Sequence, residues 1–214
     1  MLTLYGAARS SASFRVRIAL NLKGLPFEYR PVGLRTNEQL TPQFRALNAA
    51  ELVPVLVLDD GTRLTQSVAI IEWLDETQPQ PPLLPAEPLA RAYVRAMALA
   101  IACEIHPLNN LRVLRYLVKQ MGAAEEAKDA WYRHWVEQGL AQLEAQLTAA
   151  GRCGRFVLGD TVTLADVLLV PQIFNARRFD CRLDQLPTVL RIFDACMQLP
   201  AFEQARPEVQ PDFA

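Results

Sequence analysis

Apolar and polar positions alternate through Leu2-Thr3-Leu4-Tyr5, the two-residue period of a half-buried strand. From Ser11 to Lys23 the period lengthens: Phe14, Ile18 and Leu22 fall on one stripe and Gly24 follows, which predicts a helix with a defined end. Phe27 to Val32 reads as a second strand, completing a βαβ unit. Val53 to Leu58 and Arg63-Leu64 read as a hairpin turned through Asp59-Asp60-Gly61, the Asp-Gly signal of a tight turn. Ser67 is expected to cap a further helix, Val68 to Glu76, whose apolar face carries Ile70, Ile71 and Leu74.

Five of the fifteen prolines then fall between Gln78 and Pro88, a run that cannot continue a helix and reads as a stiff linker. Beyond it the pattern is helical throughout. Leu89 to Met121 is expected to form one long helix with Tyr93, Met97, Ala100 and Ile101 on a stripe, bent at Pro107. Trp131, Val136, Leu140, Leu143 and Leu147 mark the next helix. Thr163-Leu164-Ala165-Asp166 has the spacing of a capping box, and a last helix follows Pro187. The order βαβ then ββα gives a small thioredoxin-like layer, so the expected architecture is an α/β thioredoxin-like domain at 1–80, a linker at 81–88 and an all-α helical bundle at 89–214.

The chain has 214 residues, 51% of them apolar and 21% charged, a composition that buries a sizeable core and excludes disorder as the main state. With 22 basic and 23 acidic residues the net charge is −1, so no overall positive field draws the chain to nucleic acid or to an anionic membrane. Cys103, Cys153, Cys181 and Cys196 form no C-x-x-C and do not pair at short range with His106 or His134, which argues against a metal site. Reduced, mostly buried thiols are expected, Cys103 among them as a small hydrophobe in the long helix. The residues MLTLYGAARSS lack the pattern of a signal peptide and no apolar run reaches a membrane span, so a cytoplasmic protein is expected. Nineteen of the basic residues are Arg and three are Lys. Genome composition is the plainer reading of that bias; the sharper one is that some guanidinium forks clamp carboxylates, which they match bidentately where an ammonium does not.

In a thioredoxin-like layer the turn between the first strand and the first helix is the place for chemistry, because the helix start stabilises an anion. Here it reads Ala7-Ala8-Arg9-Ser10-Ser11-Ala12-Ser13, without a cysteine, so disulfide exchange by the protein itself is excluded. Taken alone, the hydroxyls read best as a plain N-cap. Two other loops shift the balance. A cis bond at Val53-Pro54 would leave the Val53 backbone able to pair with an extended peptide, and Gln66-Ser67 at a helix start suits a carboxylate. Together the three loops suit a short, anionic, thiol-bearing peptide.

The stretch Ser10-Ser11-Ala12-Ser13-Phe14-Arg15-Val16-Arg17-Ile18-Ala19-Leu20 resembles the signature S-S-C-x-W/F-R-V-R-I-A-L of the zeta-class glutathione transferases. The resemblance extends over essentially the whole chain, through Val53-Pro54, Gln66 to Glu72, Ile105 to Leu111, Thr163 to Asp166 and Gln210-Pro211-Asp212. It implies the glutathione transferase fold, glutathione as cofactor and a homodimer. It implies that Ser10 lies beside the glutathione sulfur with the Ser11 and Ala12 amides, that Val53 pairs with the cysteinyl backbone, and that Gln66 and Ser67 hold the γ-glutamyl carboxylate. Gln39, His106, Asn110 and Arg112 match positions around glutathione or the site wall. Ala12 replaces the usual cysteine, which the family treats as accessory, and His106 resembles the bacterial maleylpyruvate branch more than the eukaryotic members. His106 fits a wall residue beside Pro107 as well as a glutathione contact.

The activity implied is cis-trans isomerisation of maleylacetoacetate or maleylpyruvate, by thiolate addition, rotation and elimination. Negative charge on such a small-molecule dicarboxylate needs cations, for which Arg9 and Arg178 are the candidates; Arg177 is expected to be structural. A general transferase or α-halo acid dehalogenase would use the same thiolate, and a non-enzymatic glutathione-binding protein would need only the loops.

Overall fold

The computed structural model describes residues 1–213. Contacts divide the chain into two compact units, Met1–Pro82 together with the residues from Met197 onward, and Leu83–Cys196. The residues after Cys196, expected in the helical domain, therefore group with the α/β layer.

In the first unit, β1 (Leu2–Gly6) leads into α1 (Ser11–Leu22) and β2 (Phe27–Pro31). A 3-10 turn at Glu38–Leu40 and α2 (Pro42–Leu47) precede β3 (Val55–Val57), β4 (Arg63–Thr65) and α3 (Ser67–Thr77). The sheet order is β2-β1-β3-β4. β1 pairs parallel with β2 from Leu2 opposite Phe27, and antiparallel with β3, with Leu4 opposite Leu56. The hairpin expected through Asp59-Asp60-Gly61 joins β3 to β4, with Gly61 at a φ of 85° that a side chain would strain.

Helix α2 was not expected from the sequence. Its six residues are too few to show a period, yet Pro42 opens it and Thr41 Oγ accepts the Phe44 amide at 3.3 Å. Phe44 joins Val32 and Val55 in a small core flanked by Tyr5, Leu34, Leu47, Val53 and Val57. Helix α1 departs from the single stripe expected of it: every residue from Phe14 to Leu20 is buried, Arg15 and Arg17 included. The returning segment accounts for this, since α9 (Pro200–Glu203) packs on α1 with Phe202 and Ala205 buried. Lys23, just past α1, buries its ammonium with all three protons donated, to Asp75 Oδ1 at 2.6 Å and to the Gln78 and Pro81 carbonyls at 2.7 and 2.6 Å. It ties the end of α1 to the start of the proline-rich stretch.

The second unit is helical. The single helix expected over Leu89 to Met121 is instead α4 (Pro88–Leu99), a π turn (Ala100–Ile105), a 3-10 turn (His106–Asn109) and α5 (Leu111–Lys119). Pro107 supplies no amide proton, so it fits the first turn of a new segment better than the middle of an old one. Gly139 of the facing helix α6 (Glu125–Ala150) permits the wider turn, because a Cβ there would lie 2.5 Å from Ile105 Cγ1. The π turn also shifts the helical phase, so Cys103 is exposed rather than buried. α7 (Leu164–Arg178) is the most buried helix of this unit, and α8 (Pro187–Met197) begins at the expected proline. No helix among the described residues is long and apolar enough to cross a membrane.

Candidate active site

The turn from β1 into α1 is shaped by short-range bonds. Ser10 is the N-cap of α1: its Oγ accepts the Ser13 amide at 3.2 Å, and its own amide donates to the Ala7 carbonyl at 3.1 Å. A serine hydroxyl that accepts from the helix still has its proton to donate elsewhere. Ser11 and Ala12 occupy the first turn, at the positive end of the helix dipole. Ser13 is buried beneath them, its Oγ accepting the Ala7 amide at 3.2 Å. Gly6 lets it pack there, since a Cβ on Gly6 would stand 3.1 Å from both Ser13 Cβ and Tyr29 Cε2.

Gln66 and Ser67 sit at the start of α3 as expected, but the cap assignment changes. The N-cap is Gln66, with φ 67° and no side-chain capping bond, while Ser67 is the first helical residue. Its hydroxyl cannot serve as the cap oxygen because it faces α1, accepting from Arg15 Nη1 at 3.3 Å. A positive φ on a glutamine is costly, roughly 1–3 kcal/mol, and is kept only where surrounding structure enforces it. Val53 stands before β3 with the Val53-Pro54 bond cis. Gln39 lies in the 3-10 turn, only 6% exposed, and its Oε1 is buried with no partner among the described residues. That orphaned acceptor, the cysteine-free helix start and the strained Gln66 fit a polar, sulfur-carrying peptide. Arg9 is exposed, its guanidinium 4.7 Å from the centre of the Phe213 ring.

The helical unit places its candidates in two groups. Asn110 caps α5, its Oδ1 accepting the Arg112 amide at 3.1 Å, and its Nδ2 lies 3.5 Å from His106 Nε2. The side chain of Arg112 is exposed. Trp131 Nε1 donates to the Leu108 carbonyl at 2.8 Å and holds this 3-10 turn against α6. Arg178 is at the other group, the end of α7: Nη1 donates to Asn175 Oδ1 at 2.7 Å and the guanidinium rests 5.0 Å from the Phe179 ring. Phe179 is in turn stacked on Tyr132 at 3.8 Å, so Arg178 is an exposed cation on a rigid aromatic base. Arg177 makes the structural contacts expected of it, over Phe193 at 4.3 Å and 3.9 Å from Asp194. His134 is exposed.

Three residues that matter to this geometry were not singled out from the sequence: Arg15, Arg17 and Asp212. Two arginines interleaved with the apolar residues Phe14, Val16 and Ile18 to Leu20 were the signal available for the first two.

A family model described as the glutathione S-transferase N-terminal domain matches residues 9–77. The chain is 49% identical to a probable maleylacetoacetate isomerase of Vibrio cholerae, over 99% of this chain and 98% of that one. Among solved structures it superposes with a TM-score of 0.96 and 48% identity on holo maleyl pyruvate isomerase, a bacterial zeta-class glutathione S-transferase, covering 99% of this chain and 100% of that one. A maleylacetoacetate isomerase of Methylobacterium extorquens, solved with bound malonate and glutathione, superposes with a TM-score of 0.95 and 41% identity over 98% of each chain. The chain thus belongs to the zeta class of glutathione transferases, the family of the maleylacetoacetate and maleylpyruvate isomerases.

Proposed function

We propose that this protein is a glutathione-dependent cis-trans isomerase of maleylacetoacetate or maleylpyruvate. The observation that carries the reading is the start of α1, where a capping serine hydroxyl stands at the positive end of the helix dipole and no cysteine is present to supply the sulfur. Glutathione, when bound, supplies the thiolate that adds to the cis double bond, allows rotation and leaves again. Ser10 donates its hydroxyl proton to that sulfur, and the Ser11 and Ala12 amides add the helix dipole. Residues 1–80 hold glutathione: Val53 through its backbone, Gln66 and Ser67 through the γ-glutamyl carboxylate, and Gln39 through the acceptor oxygen it buries. The helical domain, 89–214 after the linker 81–88, serves the acid substrate, with Arg178 as the carboxylate fork and Arg9 as a second cation. His106, Asn110 and Arg112 complete the wall. Family membership further supports a homodimer in the cytoplasm; a sedimentation mass equal to one 24.0 kDa chain would contradict the dimer.

The test is direct. Purified protein with glutathione should convert the cis diketo acid without consuming glutathione. Consumption of glutathione with α-chloro acids and no isomerisation would favour the dehalogenase reading instead. Arg178→Ala should lower turnover by roughly thirtyfold, the value of one charge-assisted hydrogen bond, with little change in glutathione affinity. Equal loss of both would make Arg178 structural.

A further inference from the structure

The returning segment does more than cover α1. Its groups converge on the peptides of the turn that sets Ser10. The Ala8 amide donates to Asp212 Oδ2 at 2.9 Å, and the Ala8 carbonyl accepts from Arg17 Nη2 at 2.9 Å. Arg17 Nη1 reaches the Ala7 carbonyl at 3.4 Å, and its Nε donates to the carbonyl of Ala205, in the same returning segment, at 2.9 Å. Phe213 lies beside the Arg9 guanidinium. Ala8 is 1% exposed, so water is poorly placed to substitute for either partner. The residue two positions before Ser10 is therefore gripped through both its amide, by the distant Asp212, and its carbonyl, by Arg17 of α1.

The charges are arranged in a way that bond-making alone does not require. A carboxylate this close to a site that must keep a sulfur ionised opposes that ionisation. Asp212 is offset by Arg17, whose pKa burial lowers to about 10 while Tyr29 and Asp212 act to raise it, leaving it cationic at neutral pH. Tyr29 completes the group, its hydroxyl 3.5 Å from Asp212 Oδ2, and burial pushes its pKa up, so it stays neutral. Asp212 Oδ1 is buried with no partner among the described residues. Such a carboxylate is expensive to keep unless the geometry it imposes matters.

We infer that Asp212 is a positioning residue for the reaction: with Arg17 it fixes the Ala8 peptide, and through it the placement of Ser10 and the first-turn amides of α1 against the glutathione sulfur. This rests on the glutathione-holding role given to that turn above. The returning segment is then part of the sulfur site, although none of its side chains is assigned a contact with glutathione.

Three variants test it, Asp212→Ala, Asp212→Asn and Asp212→Ser, each first checked for a native circular dichroism spectrum. Asparagine keeps an acceptor for the Ala8 amide and removes the charge. Serine is too short to reach that amide, and takes the place of the alanine variant should that one not fold. Amide hydrogen exchange in the unliganded protein reads the clamp itself. Asp212→Ala should exchange about tenfold faster over residues 7–13 with α7 unchanged, and Asp212→Asn should exchange as the wild type does. The ultraviolet absorbance of the bound thiolate reads the consequence: its titration should move up by about one pH unit in Asp212→Ala, against the lowering that loss of a nearby carboxylate alone would give, and should return to wild type or below it in Asp212→Asn, which keeps the clamp without the charge. Unchanged exchange in Asp212→Ala overturns the clamp whatever the protein binds. Faster exchange with an unmoved thiolate titration overturns the positioning role while leaving the isomerase reading intact. A wild-type protein that takes up no glutathione overturns that reading and the positioning role with it, and isotope exchange then reports a purely structural clamp.

Discussion

Asp166→Ala should unfold the helical unit with a stability loss of about 3–5 kcal/mol, seen as a lower urea midpoint. Asp166 is fully buried at the third position of α7 and serves three donors. Its Oδ2 accepts the Thr163 amide at 2.8 Å and the Thr163 hydroxyl at 2.7 Å, and its Oδ1 accepts the Val157 amide at 2.9 Å. Thr163 and Val157 are themselves buried, so alanine would strand two backbone amides at roughly 1–3 kcal/mol each, along with a hydroxyl. Asp166→Asn should recover only part of this, because one of its two amide atoms is a donor facing donors. On the role proposed for Arg178, the loss should reach turnover as well, since α7 ends at that residue. A midpoint shift worth less than about 1 kcal/mol, no more than an ordinary lost cap, would show that other contacts hold the helix.

The same carboxyl gives stability a pH dependence. Burial pushes its pKa up to about 6, above an ordinary value near 4, while the Val157 and Thr163 donors limit the rise. Between those two values the folded chain binds a proton that the unfolded chain has released. The stabilisation is then complete at the acid end and is lost as pH rises through about 6. Above that the contribution is level. Asp166→Asn removes the titration, so its stability curve should lack this fall.

The capping box is a case where sequence spacing carried the local structure, since Thr163 and Asp166 stand at the required positions. What spacing could not supply is the third bond, to Val157, which depends on how the preceding loop folds back. The same division runs through the fold. The βαβ order, the Asp-Gly hairpin and the helix after Pro187 were legible because a period or a turn residue fixes each locally. At Pro107 the expected long helix was legible as bent but not as broken, and the π turn was not legible at all, since the room for it comes from the missing side chain of Gly139 on another helix. Within the candidate site, Ser10 as a cap was readable from the hydroxyl at a helix start. The left-handed Gln66 was not, because nothing in a glutamine announces a positive φ. Arg17 and Asp212 were opaque for a related reason: a lone charge is read as solvated until the chain that covers it is known.

Ser10→Ala separates capping from catalysis, because the two roles predict different readouts. As the N-cap of α1, Ser10 contributes about 1 kcal/mol through the Ser13 amide, and its loss lowers stability at every pH alike. As the donor to the sulfur, it favours the ionised form of the bound thiol, and its loss lets that thiol drift toward an ordinary pKa near 8.5. Turnover at neutral pH should then fall by about 10²–10³-fold, the range for removing one donor aimed at a reacting anion. The sign of the pH effect decides between the roles. With the donor gone, the thiolate must be formed by base instead, so the rate should climb as pH is raised and the deficit should shrink above the thiol's new pKa. Ser10→Thr should restore much of the rate, since it keeps both the cap oxygen and the proton. A variant that melts a few degrees lower but keeps the wild-type pH–rate profile would leave Ser10 as a helix cap alone, and would move the burden of ionising the sulfur onto the first-turn amides and dipole of α1.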